Sequence, residues 1–372
     1  MLTTGQVALF KKWSAEKRLI SIIVRTKTSF FLELEDFHKP RDVALVAFVS
    51  KKTLITDGAL ACFDLILFFD PSRNTYANVH NFDEVRIPDL EQLGNELKEV
   101  VDLGKLQLIY GNESAAAPVC NLRQLLGLKG PYLSDISHIR NKNLVKEIAL
   151  KNGIPTAKSV TLDFANLDLE IPTLLSKIEQ TLGGYPIFKR PTSLAGCQGA
   201  EKIPSRRSLK QWLSRALRDG DKQIFCVQGF QKTPKSDDYL LVELAHRPAG
   251  SRTNSVCYKS CGISQETALL MSHIDPTYRP RADPYWKRPT ELALWFPQRK
   301  GVFAEYTPLP EKENVKSEME TKWLKPLGTI LEQPKDINKH LLILTLRCED
   351  RHQLLKDAKW ISDNWRPSLK AN

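Results

Sequence analysis

The stretch Tyr185-Pro186-Ile187-Phe188-Lys189-Arg190-Pro191, which leads into Ala195-Gly196-Cys197-Gln198-Gly199-Ala200, decides how this chain is read. A short apolar strand, Ile187–Phe188, runs into two adjacent cations and a proline. In the small-residue loop beyond it, glycines let backbone N–H groups approach an anion closely. A cation at a strand end beside such a loop suits a phosphate. Taken alone, the GxxG pattern reads equally well as a plain surface turn.

Upstream lies Arg140-Asn141-Lys142-Asn143-Leu144-Val145-Lys146, followed by Asn152-Gly153-Ile154-Pro155-Thr156. Leu144 and Ile148, with Val145 and Ala149, recur at i, i+4 spacing and predict a helix near Asn141–Asn152 with this apolar stripe. Gly153 supplies its stop, and Pro155 prevents continuation. Lys142 is then either one of several exposed lysines on that helix or a phosphate ligand. Downstream lies Leu241-Val242-Glu243-Leu244-Ala245-His246-Arg247-Pro248-Ala249-Gly250. A carboxylate on a buried strand is costly unless a magnesium ion or a partner such as Arg247 accounts for it, so metal ligand and Glu–Arg salt bridge both stand for Glu243. Phe225-Cys226-Val227-Gln228-Gly229-Phe230 reads as a further strand.

Around this centre the first third alternates apolar runs with polar connections: Leu19–Val24, Val43–Val49, Phe63–Phe69 and Leu106–Tyr110. Such runs, rich in branched residues, predict a largely parallel sheet covered on both faces. Two of them end in Asp70-Pro71-Ser72 and Gly111-Asn112-Glu113, and ligands of open α/β sheets gather at carboxyl ends of strands. Ser159–Leu162 and Tyr239–Leu244 read as strands, Leu174–Leu182 and Ser208–Leu217 as helices, and Asp275–Pro289 as an irregular loop. Gly301–Tyr306, Leu341–Leu346 and the helical Asp350–Asn364 form a tail expected to pack on the core.

The 372 residues are 42% hydrophobic and 26% charged, the composition of a globular protein with room for two or three domains. No apolar run approaches the roughly 20 residues of a membrane-spanning helix, and no charged-then-apolar leader is read at the N-terminus. Seven scattered cysteines point to reduced thiols and a cytoplasmic setting, with Cys257 and Cys261 read as ordinary thiols and not as a zinc pair. The net charge of +11 favours anionic partners, but basic residues lack the interleaved aromatics of a nucleic-acid surface.

In order and spacing these segments resemble the ATP-grasp superfamily, and within it the carboxylate–amine ligases that include L-amino acid and carnosine-type dipeptide ligases. The resemblance runs from about Glu113 to the tail. It implies an α/β fold class: a pre-ATP-grasp parallel-sheet domain over residues 1–138, then an ATP-grasp α+β domain over 139–372 with a shortened centre, a reduced lid and a C-terminal lobe from about residue 294. It implies ATP and Mg2+ as cofactors, small carboxylates and amines such as amino acids as substrates, and leaves room for a homodimer. Residue by residue, it implies that Lys142 and Arg190 hold phosphates, with Lys189 adjacent to the second, and that Ala195, Gly196, Cys197, Gln198 and Gly199 fold over them. Glu243 would bind magnesium, Gln228 would stand where the family carries another metal-binding Glu, and Arg247 would meet the acyl phosphate. The implied reaction is ATP-dependent amide formation. Gln228 and the short interval from Ala200 to Phe225 favour a second reading, a degenerate relative that binds a nucleotide or a partner without turnover.

Overall fold

The computed structural model describes the chain apart from residues 1, 27–31, 33–36, 54, 56, 74–81, 194–198, 222, 230–240, 242–253, 255–256, 259–261, 281–289, 334–339 and 371–372. Two compact units divide it, one of Met1–Arg73, Pro88–Ala115 and Arg247–Asn372, the other of Asn74–Ile87 and Ala116–His246.

The first unit opens with helix α1 (Thr4–Glu16), capped by Thr3, and strands β1 (Leu19–Arg25) and β2 (Val43–Ser50). The short helix α2 (Asp57–Leu60) leads to β3 (Leu65–Phe69), and α3 (Pro88–Lys98) to β4 (Leu106–Tyr110). The four apolar runs of the sequence are these four strands. They pair in parallel in the order β3-β2-β1-β4. Every residue of β2 is buried, and burial on both faces is why the run is continuous and not alternating. Beyond the carboxyl ends of β1 and β4, Asn112 closes a polar knot: its Oδ1 accepts the Thr26 N–H at 2.9 Å, and its amide donates to Thr26 Oγ1 and Ser114 Oγ at 2.6 and 2.8 Å. Helix α4 (Glu113–Leu126) follows.

The second unit carries helices α5 (Leu133–Arg140) and α6 (Lys142–Lys151), strand β5 (Ser159–Asp163) and helix α7 (Ile171–Leu182). Strands β6 (Ile187–Pro191) and β7 (Glu201–Ile203), helix α8 (Arg206–Arg218) and strand β8 (Ile224–Gly229) complete it. Its sheet is antiparallel, ordered β5-β8-β6-β7. Side chains alternate across it with period two. One set, Val160, Leu162, Ile187, Ile203, Phe225 and Val227, packs under α7 and α8 against Leu174, Ile178, Leu209 and Leu213. Trp212 anchors that core, edge-on to Phe164 and Phe225 at 5.6 and 5.2 Å. The interval Ala200–Phe225, short for a lid by sequence, therefore supplies the strand and helix that finish this sheet and its cover.

The chain returns to the first unit through α9 (Gln265–Ile274), whose Glu266 forms a buried ion pair with Arg25 at the end of β1. Strands β9 (Thr290–Pro297), β11 (Glu318–Trp323) and β13 (His340–Cys348) form an antiparallel sheet ordered β11-β13-β9. The two-residue strands β10 (Gly301–Val302) and β12 (Ile330–Leu331) pair separately, so the strand expected over Gly301–Tyr306 shrinks to its first two residues. Helix α10 (Arg351–Asn364) covers the larger sheet, setting Leu354 and Ile361 against Leu342, Leu344 and Leu346.

Asp357 of α10 fixes that helix to the chain before β11. Its Oδ2 accepts from both the backbone N–H and the hydroxyl of Ser317 at 2.7 Å, and Oδ1 accepts from Gln353 at 2.7 Å. Burial alone would raise this carboxyl, but the Ser317 hydrogen bonds outweigh it and hold Asp357 below the ordinary value. Asp357→Ala orphans a buried N–H and should destabilise the protein by about 1–3 kcal/mol, read from the urea midpoint. A depressed carboxyl contributes stability that is intact above its unfolded pKa of about 3.9 and lost as pH falls through the folded value. The gap between wild type and variant should accordingly narrow in acid.

Candidate functional site

Helix α6 is the element on which the site turns. Asn141 caps it, its Oδ1 accepting the N–H groups of Asn143 and Leu144 at 3.0 and 3.4 Å. It buries only half of the predicted stripe. Val145, Lys146 and Ala149 are buried, whereas Leu144 and Ile148 are 37% and 43% exposed. Lys142 and Lys146 sit one turn apart on one face, about half a turn from Leu144 and Ile148. Burying a Leu or Ile side chain is worth roughly 1.5–3 kcal/mol, so the rotation that turns Lys146 inward forgoes part of that twice over.

Both lysines meet strand segments of the same sheet. The Lys142 N–H and Nζ each donate to the Thr192 carbonyl at 3.3 Å, just beyond the end of β6. Lys146 Nζ donates to the Ala157 carbonyl at 3.3 Å and to Gln228 Oε1 on β8 at 3.1 Å. Arg190 Nη2 on β6 donates to that same oxygen at 3.1 Å. Burial pushes the Lys146 ammonium below its ordinary value, the Cys226 thiol beside it works against this, and Arg190 adds to the depression.

Lys189 and Arg190 divide between the two faces of β6, as alternation requires. Lys189 is enclosed on the α8 side, 5.0 Å over the Trp212 ring and 5.4 Å from that of Phe225, with Glu201 Oε2 at 3.2 Å. That face opens on a depression of about 800 Å³ lined by Glu201, Trp212, Arg215 and Asp221, away from the Lys142, Lys146 and Arg190 group. Of the two neighbouring cations, Arg190 is the one gathered with the others.

Arg190 and Gln228 meet directly, Lys142 is held at the Thr192 carbonyl two residues beyond Arg190, and Gln228 is joined by Lys146, which sequence reasoning passed over. The signal was present in its i+4 spacing from Lys142. Gln228 is placed as acceptor for two cations, and a dication at its oxygen would face both. Among the described residues no three His, Cys, Asp or Glu side chains gather to hold a metal. Glu243 and Arg247, with Ala195, Gly196, Cys197 and Gln198, lie outside the described residues. Leu241, two residues before Glu243, is described: its N–H donates to the Pro155 carbonyl at 2.9 Å and it bridges Thr156 in parallel.

Gly199 ends the small-residue loop at φ +67°, and a Cβ there would stand 2.9 Å from Pro191 Cγ. Only glycine meets both demands. Gly199→Ala should lower stability by more than about 1 kcal/mol; an unchanged urea midpoint would show that the turn relaxes freely.

No family model matches the chain, and no curated protein matches it in sequence. Solved structures do match. L-amino acid ligase from Bacillus licheniformis superposes with a TM-score of 0.55 at 13% identity, over 93% of this chain and 98% of that one. The biotin carboxylase domain of 2-oxoglutarate carboxylase from Hydrogenobacter thermophilus, solved with MgADP, ADP and bicarbonate, gives 0.50 at 11% identity, over 94% and 90%. Identities this low speak for architecture and leave the substrate open. With its parallel four-stranded sheet, the antiparallel sheet under α7 and α8, and the C-terminal antiparallel sheet, this chain has an ATP-grasp fold.

Proposed function

We propose that the chain binds ATP through its phosphates and is an ATP-dependent carboxylate–amine ligase. The observation that carries this reading is that Lys142, held at the Thr192 carbonyl just beyond β6, and Arg190 on β6 come from distant segments to the same strand. Cations in such a place suit a polyphosphate, and phosphoryl transfer is chiefly a matter of positioning and charge neutralisation. In the proposed reaction a substrate carboxylate oxygen attacks the γ-phosphorus as its bond to ADP breaks. An amine then attacks the acyl carbon and phosphate leaves, giving an amide. Arg247 is proposed to steady the acyl phosphate with its planar guanidinium. The loop Ala195–Gly199 is proposed to close over the phosphates.

Magnesium would neutralise the phosphates, and Glu243 is the residue proposed to hold it. Gln228 fits that role poorly because its one acceptor oxygen already serves Lys146 and Arg190. We assign Gln228 instead the task of spacing the two cations. The same feature favours the second reading, a nucleotide binder without turnover, since an uncharged residue at this place draws a hard cation less strongly than a carboxylate. The division into residues 1–138 and 139–372 is likewise proposed as one of ancestry, distinct from the compact units.

Lys142→Ala and Arg190→Ala should each weaken ATP binding by tenfold or more, measured by calorimetry, while Lys189→Met should leave it within about twofold. Equal losses in all three would remove the distinction between the faces of β6. Release of ADP that depends on added amino acids decides between the two readings. Turnover supports the ligase, and saturable ATP binding without it supports the binder.

A further inference from the structure

In the first unit a groove of about 300 Å³ runs between β9 and the carboxyl end of α10. Four consecutive residues, Leu294, Trp295, Phe296 and Pro297, line it. Leu294 and Phe296 face the core under α10, so Trp295 faces the opposite way. A groove that all of them share follows the edge of the strand. Strand β9 pairs with β13 on one side, and among the described residues no strand pairs with the other. That edge offers backbone N–H and carbonyl groups beside apolar walls. Arg299, just past β9, and Arg366, just past α10, line the same groove. Arg366 lies over the Phe296 ring, 5.9 Å from its centroid, and its Nη1 donates to the Ile361 and Trp365 carbonyls at 3.1 and 2.7 Å. Among the described residues neither guanidinium meets a carboxylate.

We propose that this groove docks the C-terminal residues of a partner protein, added to β9 as an extended strand, with the terminal carboxylate against Arg299 and Arg366. An open strand edge supplies main-chain hydrogen bonds, which a small acid would leave unused. Four strand residues span about 10 Å, the length of three or four residues of an added strand. Pro297 has no N–H with which to extend the ladder, so pairing ends there, beside the guanidinium groups. A chain running parallel to β9 brings its carboxylate to that end, and planar guanidinium groups suit a carboxylate. An antiparallel chain would set its ammonium against two cations. The apolar walls call for apolar side chains on the incoming strand. The occupant is thus a tail of apolar residues with a free α-carboxylate, and its docking does not depend on how the phosphate site is read.

Fluorescence anisotropy of the full chain with an N-terminally labelled pentapeptide, Gly-Ser-Val-Thr-Leu, tests this. The free acid should bind saturably, and its C-terminal amide about tenfold more weakly or worse. Methylating the last three backbone nitrogens removes the ladder donors and should weaken binding comparably. Arg299→Gln breaks no hydrogen bond or ion pair among the described residues. It should lower affinity by a similar factor and leave the urea midpoint unchanged. No binding of the free acid, or equal binding of acid and amide, overturns the proposal. Binding that survives methylation, or competition by 4-methylpentanoate at the peptide's own concentration, overturns it in favour of a small-acid pocket. A dimer that Arg299→Gln dissociates and the peptide leaves intact overturns it in favour of a second copy of this chain.

Discussion

A single amide oxygen, Gln228 Oε1, accepts hydrogen bonds from Lys146 and Arg190, and the arrangement of the second unit follows from the need to bring two like charges to it. An amide can do this without cancelling either charge, whereas a carboxylate would form a closed ion-pair triad. To reach the oxygen, α6 must present its lysine face to the sheet and leave Leu144 and Ile148 outward. Strand β6 must hold Arg190 on that side, which sends Lys189 to the other. The aromatic enclosure of Lys189 by Trp212 and Phe225, with Glu201, is then what makes a buried cation on that strand tolerable.

A site built this way is suited to anions before it is suited to any particular chemistry. Cations gathered from α6 and β6 suit a polyphosphate whatever follows its binding. That is common ground for a ligase and for a nucleotide binder, because both begin by gripping phosphates. What separates them lies at the reacting end of the nucleotide, where Glu243 and Arg247 would act.

Much of the architecture was legible in the sequence because its causes are local. Four continuous apolar runs gave the parallel sheet, and Asp350 with the periodicity after it gave α10. Other elements were hidden by their composition. Strand β11, Glu318-Met319-Glu320-Thr321-Lys322-Trp323, alternates as a half-exposed strand should, yet its charged face masks it from a search for apolar runs. Lys142, Arg190 and Gln228 could be singled out from motif order alone. The face on which each lies could not, since it depends on which side of a sheet a neighbouring helix covers. The orientation of α6 was the hardest case: of its apolar pattern Val145 and Ala149 turn inward with Lys146 while Leu144 and Ile148 turn outward, and the partner oxygen that Lys146 meets lies on a strand far along the chain.

Trp212 is the sole tryptophan in the unit formed by Asn74–Ile87 and Ala116–His246, the other six lying elsewhere in the chain. Its ring carries a lysine ammonium 5.0 Å from its centroid. A fixed charge so near an indole shifts its excitation and emission energies, giving this unit an optical signature of its own. With the remaining tryptophans replaced by phenylalanine, emission from Trp212 would follow the opening of this one core, separating local from global unfolding in a chain of two units.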